Sequence, residues 1–177
     1  MNRIIKIILL DILKNKIVLT YALIMALLSW SSFALEDNSS KGLLTILNII
    51  LFTVPLVSIL FSTIYIYNSA EFIELLLSQP IKRIKIWLSL FFGLSISMVL
   101  AFGVGAGIPL LINAPDSIGL MMVVVGSLIS VIFVALAFLS SIITRDKAKG
   151  IGIAIMTWLY FALIFDGMVL FLLFQFQ

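Results

Sequence analysis

Five long runs of apolar residues dominate this sequence of 177 residues. Each run holds the roughly 20 residues that a helix needs to cross the hydrocarbon core of a bilayer, because a helix rises about 1.5 Å per residue. Asp166 is the one charged residue inside any of them. We therefore predict an all-α integral membrane protein, a single transmembrane domain over residues 1–177, with spans at about 17–35, 43–67, 86–112, 118–143 and 150–174.

Composition excludes several classes of function. Hydrophobic residues make up 63% of the chain, and charged residues only 11%. The sequence contains neither Cys nor His, which removes disulfides, thiolate metal sites, Cys or His nucleophiles and His-ligated cofactors. We expect no enzymatic activity, no cofactor and no metal site. The basic residues lie in clusters between apolar runs rather than in one patch, so nucleic acid is not an expected partner.

The basic residues predict the orientation of the chain. Ten of the eleven Lys and Arg residues precede the first span or follow the second and fourth spans, and Lys41 is the exception. Cytoplasmic loops of membrane proteins carry the excess of Lys and Arg. We therefore predict a cytoplasmic N-terminus.

The first 14 residues mix Ile and Leu with charges. Ile4, Ile8 and Ile12 recur at helical spacing, whereas Lys6 and Asp11 interrupt the apolar face. This pattern is typical of an amphipathic helix that lies at the cytoplasmic interface of the membrane. A charged flank ahead of the first span is the alternative.

The loop after the second span carries a second helical pattern. Asn68 and Glu71 have the spacing of a capping box, and Pro80 would end the helix after about three turns. On this pattern we expect one face with Phe72, Leu75 and Leu76, and Glu71 and Glu74 opposite it. Such a helix either rests on lipid headgroups or docks into a groove of a soluble partner.

Two features inside the predicted spans need an interpretation. Asp166 either packs helices or lines a pathway within the membrane, or it lies near the outer surface, since its apolar run ends eight residues later. Gly103, Gly105 and Gly107 alternate within the third span, ahead of Pro109. Without a strand–turn–helix context they predict close helix packing rather than a dinucleotide site.

The loop and the spans on either side of it resemble a family of transport proteins. Glu71-Phe-Ile-Glu-Leu-Leu-Leu-Ser-Gln-Pro-Ile81, with its basic continuation, is similar to the corresponding loop of ABC-2-type transporter permeases. More narrowly, segments 64–80, 145–152 and 158–167 resemble the permeases of ABC transporters that serve maturation of nitrous oxide reductase. Gliding-motility and sodium- or drug-export permeases share much of the same loop.

The resemblance implies a homodimeric permease subunit in the bacterial cytoplasmic (inner) membrane. Its partners would be a cytoplasmic ABC ATPase and a periplasmic accessory protein, and the ATP hydrolysed by the ATPase would drive transport needed for the copper site of the reductase. The sequence has no G-x-x-x-x-G-K-[ST] motif, so a partner would supply the ATPase. The coupling residues implied are Glu71, Glu74, Leu75, Gln79, Pro80, Lys82 and Arg83.

Two other functions remain open at this point. One is an ABC-2 permease for another substrate, and the other is a membrane scaffold that anchors partners without transport. Permeases of the resembling family have six spans and a cytoplasmic C-terminus, so the five spans predicted here imply a chain that lacks the last one.

Overall fold

Every element of the structure is helical across the residues that it describes. The computed structural model describes residues 2–35, 39–78, 82–144 and 146–165. The elements are α1 (Asn2–Leu13), α2 (Lys16–Leu35), α3 (Ser39–Asn68), α4 (Ala70–Leu77), α5 (Arg83–Phe102), a π-helical segment (Gly103–Gly107), α6 (Ile108–Asn113), α7 (Ser117–Ile143), α8 (Lys147–Leu159) and a second π-helical segment (Tyr160–Phe165).

Within the described residues, four stretches of helix are long and apolar enough to cross a membrane. They cover Lys16–Leu35, Lys41–Asn68, Arg83–Asn113 and Ser117–Ile143. The prediction of a multi-pass, all-α membrane protein is therefore confirmed, with the first four spans within a few residues of their predicted bounds. The predicted fifth span, 150–174, is described only as far as residue 165, and Asp166 lies outside the described residues. The count of five stays a prediction.

The N-terminal residues form a helix of their own, as the amphipathic pattern predicts. α1 ends before Asn15, whose side-chain Oδ1 accepts a hydrogen bond from the Ile17 N–H at 2.9 Å and so caps the start of α2. Ile8 and Ile12 are buried, because α1 packs along α5. The Tyr65 hydroxyl of α3 donates to the Asp11 carboxylate at 3.0 Å and ties the end of α1 to the bundle. The segment is therefore a helix packed on the bundle and not only a charged flank ahead of the first span.

α3 is the central helix of the bundle and packs on α2, α7 and α8. Its contacts with α7 advance by the same number of residues along both helices. The Thr63 and Ser140 hydroxyls lie 3.5 Å apart, and one turn later Tyr67 meets Thr144, each pair being separated by 77 residues in the sequence. α3 and α7 therefore run parallel, which places the ends of both helices, with the start of α8, at one end of the bundle.

Small residues let the helices approach closely in the half of the bundle farther from that end. A Cβ on Gly105 would lie 2.8 Å from the Ala22 carbonyl oxygen and 2.9 Å from the Met25 Cβ, both on α2. A Cβ on Gly126 of α7 would overlap the ring of Phe102, which is fully buried. The predicted close packing of the glycine run is confirmed at Gly105, and the run itself is wound as a π-helix.

Hydroxyl side chains inside the spans mostly bond to their own helix. The Ser97, Ser130 and Thr157 hydroxyls donate to the carbonyl oxygens four residues earlier, at 2.7 to 2.9 Å. This pairing satisfies a polar group without a partner from another helix, which suits a segment surrounded by hydrocarbon. These hydroxyls therefore do not determine which helices pack together, and apolar and small side chains do.

Candidate functional site

α4 is the candidate site, and it lies at the end of the bundle where α3 ends and α5 begins. It is eight residues long, about two turns rather than the three expected. Ile73 and Leu76 are buried, with α4 packing on α3 and α5, and they anchor the helix. The amphipathic character predicted for this loop is therefore present, and it fixes one face of α4 against the bundle.

The exposed face of α4 differs from the expected one. Phe72 and Leu75 were expected on the apolar face, but they are exposed at 42% and 67%, beside the exposed acids Glu71 and Glu74. The prediction that the acids lie opposite these two residues is wrong, because Ile73, absent from the predicted face, anchors the helix. The result is one outward surface that combines two carboxylates with two large apolar side chains, which we call the α4 face.

The capping box predicted from Asn68 and Glu71 is also wrong. Asn68 is the last residue of α3, and its Oδ1 accepts a hydrogen bond from the Lys147 Nζ at 2.8 Å. The N-cap of α4 is Ser69, whose side chain makes no capping hydrogen bond. Local spacing gave the correct residue types for a cap, but a cation 79 residues away occupies the Asn68 oxygen.

The remaining residues of the predicted coupling set fall in two groups. Lys82 and Arg83 are exposed, and α5 begins at Arg83 with Lys82 as its N-cap residue. Gln79 and Pro80 lie outside the described residues. The structure thus brings Glu71, Glu74 and Leu75 onto one face, with two basic residues at the start of the next helix; the coupling role itself stays a prediction.

Sequence reasoning did not single out a group of contacts beside α4. The Tyr67 hydroxyl donates to the Thr144 carbonyl oxygen at 2.8 Å and lies 2.8 Å from the Thr144 Oγ1. Together with the bond from Lys147 to Asn68, it joins the end of α3 to the end of α7 and the start of α8. The Tyr67 ring also packs on Gly150 of α8, where a Cβ would overlap it. We call Tyr67, Asn68, Thr144, Lys147 and Gly150 the clasp. The sequence could not reveal these pairs, because their members are 77 to 83 residues apart.

We call this end of the bundle the basic end. All the basic residues that the structure describes with their side chains, except Lys41, lie at its helix termini: Lys14, Lys16, Lys82, Arg83, Lys85, Lys147 and Lys149. The opposite end carries Lys41 and Asp116. The charge asymmetry that the sequence shows is therefore an asymmetry between the two ends of the folded bundle.

The buried polar side chains inside the spans are hydroxyls in the part of the chain that the structure describes, whereas the Asn48 amide of α3 is exposed. The hydroxyls of Tyr21, Ser29, Ser58, Ser62 and Ser95 are buried and have no hydrogen-bond partner. Asp166, the acid predicted for an intramembrane role, is outside the described residues. Among residues 2–35, 39–78, 82–144 and 146–165, no group of three His, Cys, Asp or Glu side chains could hold a metal ion.

Two clefts open between the spans in the half away from the basic end. One, of about 600 Å³, lies between α3, α7 and α8, where the Trp158 indole donates to the Phe52 carbonyl oxygen at 3.2 Å. The other, of about 490 Å³, lies between α3 and α7 and is lined by aliphatic and Met side chains. The larger cleft also has Asn48 and Thr53 in its lining, but neither cleft is lined by a charged side chain that would identify a charged substrate.

Comparison with known proteins finds no protein family whose model matches this chain and no curated protein that matches it.

Proposed function

We propose that this chain is the membrane permease subunit of an ATP-driven transporter and that the α4 face docks on a cytoplasmic ABC ATPase. One observation carries the proposal. Between two spans, at the basic end, a short helix is anchored by Ile73 and Leu76 and turns Glu71, Glu74 and Leu75 outward. An exposed surface that mixes acids and large apolar residues suits a protein groove.

The same surface argues against the alternative that α4 rests on lipid. Headgroups of the cytoplasmic leaflet include anionic lipids, which attract Lys and Arg and repel carboxylates. Glu71 and Glu74 point away from the bundle, next to Leu75, and would meet those headgroups directly. A protein partner with a basic rim around an apolar groove fits this charge pattern better than a membrane surface does.

The orientation and assembly follow from the same proposal. The basic end faces the cytoplasm of a bacterial inner membrane, in line with the positive-inside rule, and the chain works as a homodimer with five spans. The sequence resemblance supports transport that serves copper-site maturation of nitrous oxide reductase, with a periplasmic accessory protein as a further partner. Export of another substrate by an ABC-2 permease remains the nearest competing function.

Charge reversal on the α4 face tests the docking. Glu71→Lys combined with Glu74→Lys should weaken capture of the ABC ATPase from the native membrane by about tenfold or more, because like charges would then face each other across the interface. Asp116→Lys is the matched control, an exposed acid at the opposite end of the bundle. Equal ATPase capture by the double variant and the unmodified chain would refute the docking surface.

ATP hydrolysis separates a permease from a scaffold. We expect the captured ATPase to hydrolyse ATP faster in the presence of the unmodified chain than alone, since a transporter couples the two subunits. A scaffold that only anchors its partner would bind the ATPase and leave its turnover unchanged.

A further inference from the structure

The clasp lies where a movement of α4 would enter the rest of the bundle. The backbone hydrogen bonds continue across the junction between α3 and α4: the Ser69 N–H donates to the Tyr65 carbonyl oxygen, and the Ile73 N–H donates to the Ser69 carbonyl oxygen, both at 2.9 Å. Because hydrogen bonds connect Ser69 to both helices, α4 can move little relative to the end of α3. A displacement of α4 is therefore passed to the last turn of α3, which carries Tyr67 and Asn68.

The clasp then joins that turn to two other helices. Tyr67 bonds to the backbone and side chain of Thr144, at the end of α7, and Asn68 accepts from Lys147, the first residue of α8. The start of α8 is fixed in turn, because the Asp146 carboxylate accepts from the Ala148 N–H at 2.8 Å. Tyr67 and Asn68, which are consecutive in α3, thus bond to the end of α7 and to the start of α8 respectively.

Gly150 gives the clasp its shape. A Cβ at this position would overlap the ring and the hydroxyl of Tyr67, so the ring can lie on the first turn of α8 only because residue 150 has no side chain. Gly152, two residues along the same helix, has open space around it, with no atom within 4 Å of the position of a Cβ. Of the two glycines, it is therefore Gly150 that α3 approaches closely.

We infer that the clasp transmits displacement of α4 to α7 and α8, with Tyr67 and Gly150 as positioning residues. The inference rests on the proposed docking of an ATPase on the α4 face. α4 itself packs on α3 and α5. The clasp adds a route to α7 and α8, which border the larger cleft together with α3, so that ATP binding at the basic end changes the opposite half.

The experiment follows α8 directly. The chain has no native Cys, so Leu88→Cys on α5 and Lys149→Cys on α8, both exposed, accept a pair of spin labels. The distance between the labels is measured in the complex with the captured ATPase, without nucleotide and after trapping with ATP and orthovanadate. We expect trapping to shift the α5–α8 distance in the otherwise unmodified chain.

Two variants interrupt the clasp in different ways. Tyr67→Phe removes the hydroxyl and keeps the ring, and Gly150→Ala displaces the ring. Each should reduce the equilibrium constant for the shifted α8 position by roughly 2- to 30-fold, the range for changes along a coupling network. Capture of the ATPase should be unchanged, because the α4 face is intact. Gly152→Ala is the matched control and should retain the full shift.

The outcomes separate the two proposals. A full shift in both clasp variants, with the ATPase still captured, would overturn transmission by the clasp and leave the docking proposal standing. The absence of a shift in the unmodified complex would overturn it as well, because there would be no movement to transmit. If the unmodified chain captures no ATPase, the proposed function falls and the inference falls with it.

Discussion

The two halves of this bundle hold their helices together by different means. At the basic end, side-chain hydrogen bonds join residues 54 to 79 positions apart, as in the pairs Tyr65–Asp11, Tyr67–Thr144 and Asn68–Lys147. In the other half, one such bond joins Trp158 to Phe52, neighbouring helices pack on the glycines at 105 and 126, and clefts open beside α3. Directional bonds fix one arrangement, whereas apolar packing allows neighbouring arrangements of similar energy.

The difference suits a molecule that receives a signal at one end and responds at the other. At the basic end, hydrogen bonds with preferred distances and angles restrain how the joined helices can move relative to one another. On the proposed function, α4 would lie in the half that receives the ATPase and the clefts in the half that responds.

The largest expected effect is an all-or-none difference between the two ends. Ser117→Cys, exposed in the turn before α7, should react with a membrane-impermeant maleimide applied to intact cells, because Ser117 lies away from the basic end. Ser78→Cys, exposed after α4, should react only after the membrane is opened. The unmodified chain is the blank, since it has no Cys. The reverse pattern of labelling would invert the orientation.

The next effect concerns the packing of the π-helical segment on α2. Gly105→Ala should lower the free energy of unfolding in detergent by about 1–3 kcal/mol, the usual cost of overpacking, because the new methyl group meets the Ala22 carbonyl oxygen and Met25. Gly103→Ala, in the same segment, meets no atom within 4 Å and is the matched control. Equal stability of the two variants would mean that α2 does not pack closely against Gly105.

A smaller effect should appear as coupling between α5 and α7. Gly126→Ala alone forces the buried Phe102 ring aside, whereas Gly126→Ala with Phe102→Leu leaves room for the new methyl group. The double variant should be more stable than the sum of the single changes predicts, by about 0.5–3 kcal/mol. Denaturant titration of the four proteins measures the difference, and strictly additive effects would show that the two side chains do not touch.

The smallest effect is expected at an exposed contact of the basic end. Lys147→Met removes the bond to Asn68, and exposure to water limits the loss of stability to about 1 kcal/mol or less. Lys149→Met, with no bond to Asn68, serves as the control. A loss of several kcal/mol specific to Lys147→Met would mean that this end is far less solvated than its exposed side chains indicate.

The spans could be predicted because lipid imposes a strong local rule. Residues 17–35, 86–112 and 118–143 contain no charge, and the observed helices start and end within a few residues of these bounds. Extra helical residues at the start of α5, including Arg83, were missed because hydropathy does not record the helical turn that continues into the basic loop. Length and composition suffice for such elements.

The candidate site could be predicted only in part. The presence of α4 follows from its local pattern, but its orientation depends on which residues α3 and α5 cover, and Ile73 and Leu76 become the anchor only in the folded bundle. Asn68 shows the same limit, since its oxygen fits a cap locally and accepts from Lys147 instead. A pattern of about ten consecutive residues does not indicate which residue of another helix will become a hydrogen-bond partner.

The parallel pairing of α3 and α7 also has a consequence in time. When Thr63 and Tyr67 have just been synthesised, their partners, which lie 77 residues further along the chain, have not yet been made. At about 5–20 residues per second, a ribosome needs roughly 4 to 15 s to synthesise that length. During this interval the face of α3 that will receive α7 is without its partner, so the bundle acquires its central contact seconds after α3 has been made.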